Sequence, residues 1–189
     1  MKKLLITALL ATAGFATAAP MNYSIDQSHT YPQFEVDHLG FSTQHGRFNK
    51  TTGTIVLDQA AKTGSVDISI DAASIDTGWA KRDEHLKSED FFNVAKFPAM
   101  TFKSKSLKFE GEKLVAVSGD FTLLGVTKPL TLKVENFKCV ESHPMAKKPW
   151  CGADATATIK RSEFGMKTYV PAVGDDVKLT IQIEAMGGK

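Results

Sequence analysis

At 189 residues the chain is long enough for one domain with a sizeable core, and 42% hydrophobic with 23% charged residues is the make-up of a soluble globular protein. A formal charge of +2 with no basic block excludes a surface that tracks phosphates, and two cysteines are too few for a disulfide-framework miniprotein. Disorder, collagen repeats and coiled coil are excluded by the same composition.

The first element is not part of the fold. Lys2 and Lys3 precede an apolar run from Leu4 to Phe15, and Ala16-Thr17-Ala18 supplies small residues at a cleavage position. This is the pattern of an export signal over residues 1–18, with the domain over 19–189. The run is too short to span a bilayer, which counts against a membrane anchor. Cleavage removes two lysines from the 23 basic residues and none of the 21 acidic ones, so the mature chain is formally near neutral. The expected location is the periplasm.

Period-2 alternation dominates the mature chain. Phe34, Val36 and His38 alternate with polar residues, as do Val66, Ile68 and Ile70. Met100 with Phe102, Val117 to Leu123, and Leu130, Leu132 and Val134 continue the pattern, as do Ala155 to Ile159 and Val177 to Ile183. Turn residues separate the runs at Asp58 to Gly64, at Glu110-Gly111-Glu112-Lys113 and between Gly125 and Pro129. Short connections predict antiparallel pairing, and the runs amount to about eight or nine strands. Ser74 to Pro98 breaks the alternation. Trp79 to Lys87 has helical composition, with Thr77 as the expected cap. Strands with one apolar face must fold onto a second sheet or close into a barrel. Cys139 and Cys151 flank a loop containing Pro144 and Pro149; in an oxidising compartment a disulfide is expected, against free thiols or half a metal site.

Few residues point to catalysis. The sequence has no nucleophile elbow, no zinc-protease helix and no P-loop. Asp83, Glu84, Glu89 and Asp90 read as a solvated helix face. The histidines are scattered, and no metal or cofactor is expected from them. His38 falls on the apolar face of its strand, either as a core histidine bonded to backbone or as a polar contact within a cavity. It is also the one candidate for an acid or base if the protein acted on a lipid. The phenylalanines are more informative: twelve in the chain, against three tyrosines and two tryptophans. Phe offers a large apolar surface with no polar tip. Either these rings fill a core or they line a cavity for a long apolar ligand.

Arg82 to Phe92 (RDEHLKSEDFF) resembles the signature of the YceI-like family. Other segments resemble its remaining blocks in order: Tyr23 to Thr30, His38 to Ser42 with Gly46 to Phe48, Ser74 to Gly78, Phe97 to Ser104, Gly119 to Pro129, Arg161 to Met166 and Val173 to Val177. The resemblance implies an all-β, antiparallel, up-and-down, lipocalin-like barrel with one helical insert. It also implies a carrier of polyprenyl phosphates, quinones or other long-chain amphiphiles, and no enzyme. A homodimer is compatible with it. On this reading Phe34, Val36, His38, Ile68, Ile70, Phe102, Phe121, Leu132 and Ile181 line an apolar tunnel, and Arg82, His85 and Arg161 meet the ligand's head group. The plainer reading of Arg82, Asp83 and Arg161 is an ion-pair cluster pinning the helix to the barrel. The rival to the carrier is a filled barrel acting as a stress or interaction module beside a redox membrane protein. Phe121 stands where the family more often has Leu, Leu124 stands where a polar residue is frequent, and the Cys139–Cys151 pair is not a general feature of the family.

Overall fold

The computed structural model describes residues 19–188; the export signal expected over 1–18 lies outside the described residues. Eleven strands form one sheet: β1 (Met21–Ile25), β2 (Tyr31–His38), β3 (Ser42–Phe48), β4 (Thr51–Asp58), β5 (Thr63–Asp71), β6 (Ile75–Asp76), β7 (Ala99–Glu110), β8 (Lys113–Leu123), β9 (Val126–Val140), β10 (Trp150–Lys160) and β11 (Val173–Gly187). All their pairings are antiparallel, and β1 pairs with both β4 and β11. The ring β1-β4-β5-β7-β8-β9-β10-β11 is therefore closed.

The count exceeds the expected eight or nine because three strands are broken. Between β1 and β2 the chain makes a 3-10 turn at Gln27–His29, yet both halves lie along β11: Tyr23 opposite Gly187 in one half, Phe34 opposite Leu179 in the other. β3 and β4 are likewise two halves of one strand, as are β5 and β6; β3 pairs with β2 and β6, while β4 pairs with β1 and β5. Counted this way, eight bent strands follow one another around the barrel in chain order, which is the up-and-down plan. Closure removes the exposed edges that an open sheet would leave.

The turns follow the residues present. Gly111-Glu112 joins β7 to β8, and Leu124-Gly125 joins β8 to β9 with φ of 51° and 74°. Two successive positive φ values suit the twist of a tight hairpin, and Asn or Asp takes the first position more easily than Leu. That is the physical reason for a polar residue there; here the Leu124 side chain packs against the core instead.

Ser74 to Pro98 supplies helix α1 (Ala80–Lys87) and a run of turns. The helix starts one residue later than expected, and Thr77 does not cap it. Trp79 holds the cap position without a side-chain bond. Instead the Asp83 carboxylate reaches back to accept from the Thr77 amide at 2.9 Å and hydroxyl at 2.5 Å. At the opposite end Cys139 faces Cys151 across β9 and β10, and the two form a disulfide.

Candidate functional site

Inward-facing side chains leave two adjoining cavities rather than a filled core. The inner one, about 160 Å³, lies towards the disulfide end and is walled by strands and by Thr30 just before β2, with aliphatic residues such as Ile55, Leu57, Leu114 and Val134. The outer one, about 250 Å³, lies under α1 and is walled partly by Leu86, Phe91, Phe92 and Tyr169 from outside the sheet. Phe34, Phe48, Met100, Phe121 and Leu179 belong to both walls and mark a waist. There the Phe34 and Phe48 rings lie 5.9 Å apart, and Phe48 meets Phe92 edge-on at 5.5 Å. Phe34 lies across β3 at Gly46, where a Cβ would come within 2.3 Å of its ring. A side chain at position 46 would displace the waist.

Of the expected tunnel residues, Ile68, Ile70, Phe102, Leu132 and Ile181 line the inner cavity, Val36 and His38 the outer, and Phe34 and Phe121 both. His38 is exposed at the end of β2, so it is a rim residue rather than a core histidine. Phe121 is buried beside Phe102 and meets Phe164 edge-on at 5.6 Å.

Arg82, His85 and Arg161 all border the outer cavity. Their bonding differs. Arg82 donates from Nε and Nη2 to the Thr77 hydroxyl and carbonyl at 2.8 and 2.7 Å, and from Nη1 to Gln44 Oε1 at 2.5 Å. It thereby ties the helix to β3. Arg82 and Asp83 both bond Thr77, so a hydrogen-bonded knot stands where an ion-pair cluster was the plainer expectation. Arg161 is 3% exposed and donates to the carbonyls of Gly174, Met166 and Val173 at 2.8 to 3.1 Å. Burial lowers its pKa, against the nearby Asp175 charge. Asp175 in turn accepts from the Ser162 amide and hydroxyl; the amide bond is the main cause of its lowered pKa. Arg161 thus holds the loop between β10 and β11 in place. His85 is the most exposed of the three, stacked edge-on against Phe91 at 5.1 Å and 3.3 Å from Asp90.

Residue spacing gave no sign of Tyr169, which joins His85 and Phe91 on the rim, nor of Gln44, His45 and Thr77 in the same wall. Tyr169 and Thr77 come from segments without periodicity, and Gln44 and His45 from the stretch of β3 before Phe48, which has no apolar alternation. Leu39, Phe41, Trp79 and Tyr169 are exposed apolar residues at this same end, Phe41 at 87%. Asp26, His29 and Glu184 place ligand-type atoms within 4.8 Å of one another on the barrel's flank. There His29 is bonded to Asp26 at 2.6 Å and Glu184 accepts from Trp150 Nε1 at 2.7 Å, which accounts for the cluster without an ion.

The YceI-like domain model matches residues 23–185, from β1 almost to the end of β11. The chain belongs to the YceI-like family. Protein YceI of Escherichia coli O157:H7 is 35% identical to this YceI-like chain over the full length of both. Among solved structures, BcnA of Burkholderia cenocepacia superposes with a TM-score of 0.71 at 22% identity, covering 85% of this chain and 98% of its own. A polyisoprenoid-binding domain from Saccharophagus degradans superposes with a TM-score of 0.66 at 16% identity, covering 89% and 99%. These two likenesses establish the barrel. No helix among the described residues of this YceI-like chain is long and apolar enough to cross a membrane.

Proposed function

We propose that the protein is a periplasmic, non-enzymatic carrier that takes an isoprenoid lipid or similar long-chain amphiphile into the barrel and shields it from water. The observation that carries this reading is the pair of adjoining apolar cavities running from the helix end to the disulfide end. Each methylene transferred into such a space gains about 0.8 kcal/mol, so a chain of a few isoprene units is held without any strong polar contact. The polyisoprenoid-binding relative of the same fold supports the ligand class. The disulfide and the leader support an oxidising compartment. The exposed apolar residues at the helix end are the surface a lipid would cross on entry.

Mass spectrometry of lipid extracted from protein purified out of the periplasm tests this, with the intact complex weighed beside it. One stoichiometric isoprenoid or long-chain amphiphile is the expected result. A protein that arrives empty and also refuses added polyprenyl lipids would overturn the carrier and favour an interaction module.

A further inference from the structure

The apolar side chains that the barrel leaves in water are gathered at one end. Among the described residues seven large ones are exposed: Leu39, Phe41, Trp79, Val126 and Tyr169 stand at the helix end, and Met21 and Met145 at the disulfide end. Single exposed apolar residues are ordinary, but their concentration on one rim is not. The fold stitches the turns that carry them together. Leu39 and Phe41 belong to the turn between β2 and β3, where the Leu39 amide donates to the Ala172 carbonyl at 2.9 Å. That bond sets the turn beside the loop of Tyr169, whose ring lies 6.4 Å from His85 on α1. Trp79 is the cap residue of the same helix. Two of these residues also hold costly backbone positions. Leu39 and Tyr169 have φ of 59° and 62°, where Gly, Asn or Asp sits more easily. A turn facing only water gains nothing from a bulky apolar side chain there.

We infer that this rim is a membrane-docking surface, and that its partner is the face of an anionic phospholipid bilayer. The apolar side chains stand singly on separate turns around the outer cavity and form no groove, so a protein partner would need a pocket for each. A bilayer offers one continuous apolar layer. Trp and Tyr suit the depth of its headgroups, Phe and Leu the acyl chains below, and Lys the phosphates. The charges are arranged accordingly. Exposed Lys81 and Lys167 stand two residues from Trp79 and Tyr169, and among the described residues neither has a carboxylate partner. The carboxylates beside them are engaged: Asp37 accepts from the Gly40 amide, Asp83 from Thr77 and Glu84 from Lys87. The inference rests on the carrier reading for its purpose, since a mouth pressed to a bilayer passes a lipid without exposing it to water. The surface itself does not depend on the cargo.

The two tryptophans make the test direct, because Trp79 stands at the helix end and Trp150 at the disulfide end. The protein is mixed with protein-free vesicles of phosphatidylethanolamine and phosphatidylglycerol whose acyl chains carry bromine, a quencher of any tryptophan that reaches them. In Trp150→Phe the remaining Trp79 should be quenched and its emission shifted to the blue. In Trp79→Phe the remaining Trp150 should be unaffected. Flotation of the same vesicles gives affinities. Phe41→Ser should bind about tenfold more weakly or worse. Lys81→Gln with Lys167→Gln should lose about tenfold on these vesicles and less than about twofold on phosphatidylcholine alone. Met145→Ser, at the other end, should stay within about twofold of the wild type. Quenching of Trp150 in place of Trp79 would overturn the assignment, as would full binding by Phe41→Ser. Unchanged binding by the lysine variant would overturn its anionic part. Binding only to vesicles that carry native membrane proteins would replace the bilayer by a protein partner. A wild type that left the vesicles alone yet took up geranylgeraniol added from ethanol would overturn the docking and leave the carrier standing. One that docked but took up no geranylgeraniol would support the surface and remove the carrier.

Discussion

The two ends of the barrel are closed by different physics. Around the inner cavity the walls are strands apart from Thr30, the lining is mostly aliphatic, and the end is pinned by a covalent bond between β9 and β10. Around the outer cavity the sheet supplies only part of the wall. The rest is a short helix, a turn-rich segment and the loop between β10 and β11, held by hydrogen bonds that Arg82 and Arg161 donate and Asp83 accepts. Backbone ladders give the inner end continuous support from many residues. The outer end depends on a few guanidinium and carboxylate contacts: Arg161 serves three carbonyls, while Arg82 and Asp83 converge on Thr77. An end built that way opens in pieces while the ladder stays shut, which is the property a lipid entrance needs.

Removing Arg161 should break this arrangement most severely. Arg161→Met keeps the aliphatic bulk but leaves three buried or half-buried carbonyls without their donor. The expected loss is about 3 kcal/mol or more in urea unfolding. Hydrogen exchange should rise in residues 161–177, while amides of β1, β4 and β10 keep their protection. Uniform loss of protection across the barrel would show that the two ends are one cooperative unit. Replacing both cysteines by alanine addresses the other end. The entropic estimate for a loop of this length is roughly 3 kcal/mol, less whatever the ladder already secures. Exchange should then rise around residues 139–151 and leave the helix end unchanged. If the paired substitution cost nothing, the ladder and not the disulfide would be closing the inner end.

The same contrast sets how much the sequence discloses. The inner walls are period-2 strands, and alternation alone located Ile68, Ile70, Phe102, Leu132 and Ile181 on inward faces. Cys139 and Cys151 were legible as a pair, though only the register shows that they face each other directly across two strands. The breaks between β1 and β2 and between β3 and β4 were not legible, because alternation continues on either side of a kink and a strand count cannot see one. At the outer end spacing yielded little. Thr77 looked like a cap because a hydroxyl before a charged run normally is one, but Asp83 reaches back and takes its amide. Arg161 looked available for a head group because burial of a guanidinium is invisible in a polar motif; its donors go to one loop carbonyl, of Met166, and to those of Val173 and Gly174 at the start of β11. Tyr169 sits in an aperiodic loop, so no pattern announced it as part of the rim.

The smallest effect expected concerns the kink where the strand passes from one half of the barrel to the other. Asp26 and His29 bracket the 3-10 turn, with Asp26 Oδ2 and His29 Nδ1 2.6 Å apart, while the Asp26 amide donates to the Glu184 carbonyl. The bond from Asp26, helped by the Glu184 charge, raises His29 above its ordinary 6.5. Partial burial pushes the Asp26 carboxyl up, but the bonds from His29 and Ser28 prevail and hold it below 3.8. The raised histidine contributes stability that is fully present below pH 6.5 and is lost as pH rises through its folded value. The lowered aspartate contributes stability that is present above pH 3.8 and is lost as pH falls through its folded value. The kink is therefore firmest between those two limits. His29 is largely exposed, so water and salt screen the effect. The check is thermal unfolding at about pH 5.5 and pH 8.5, low salt, for wild type and His29→Gln, with the His29 ring followed by NMR. The wild type should lose slightly more on going to the higher pH than the variant does, and the ring should titrate above 6.5. Identical slopes would mean that the His29–Asp26 contact adds nothing to the bend, which the bonds of the Asp26 amide and the Thr30 hydroxyl to Glu184 then hold without it.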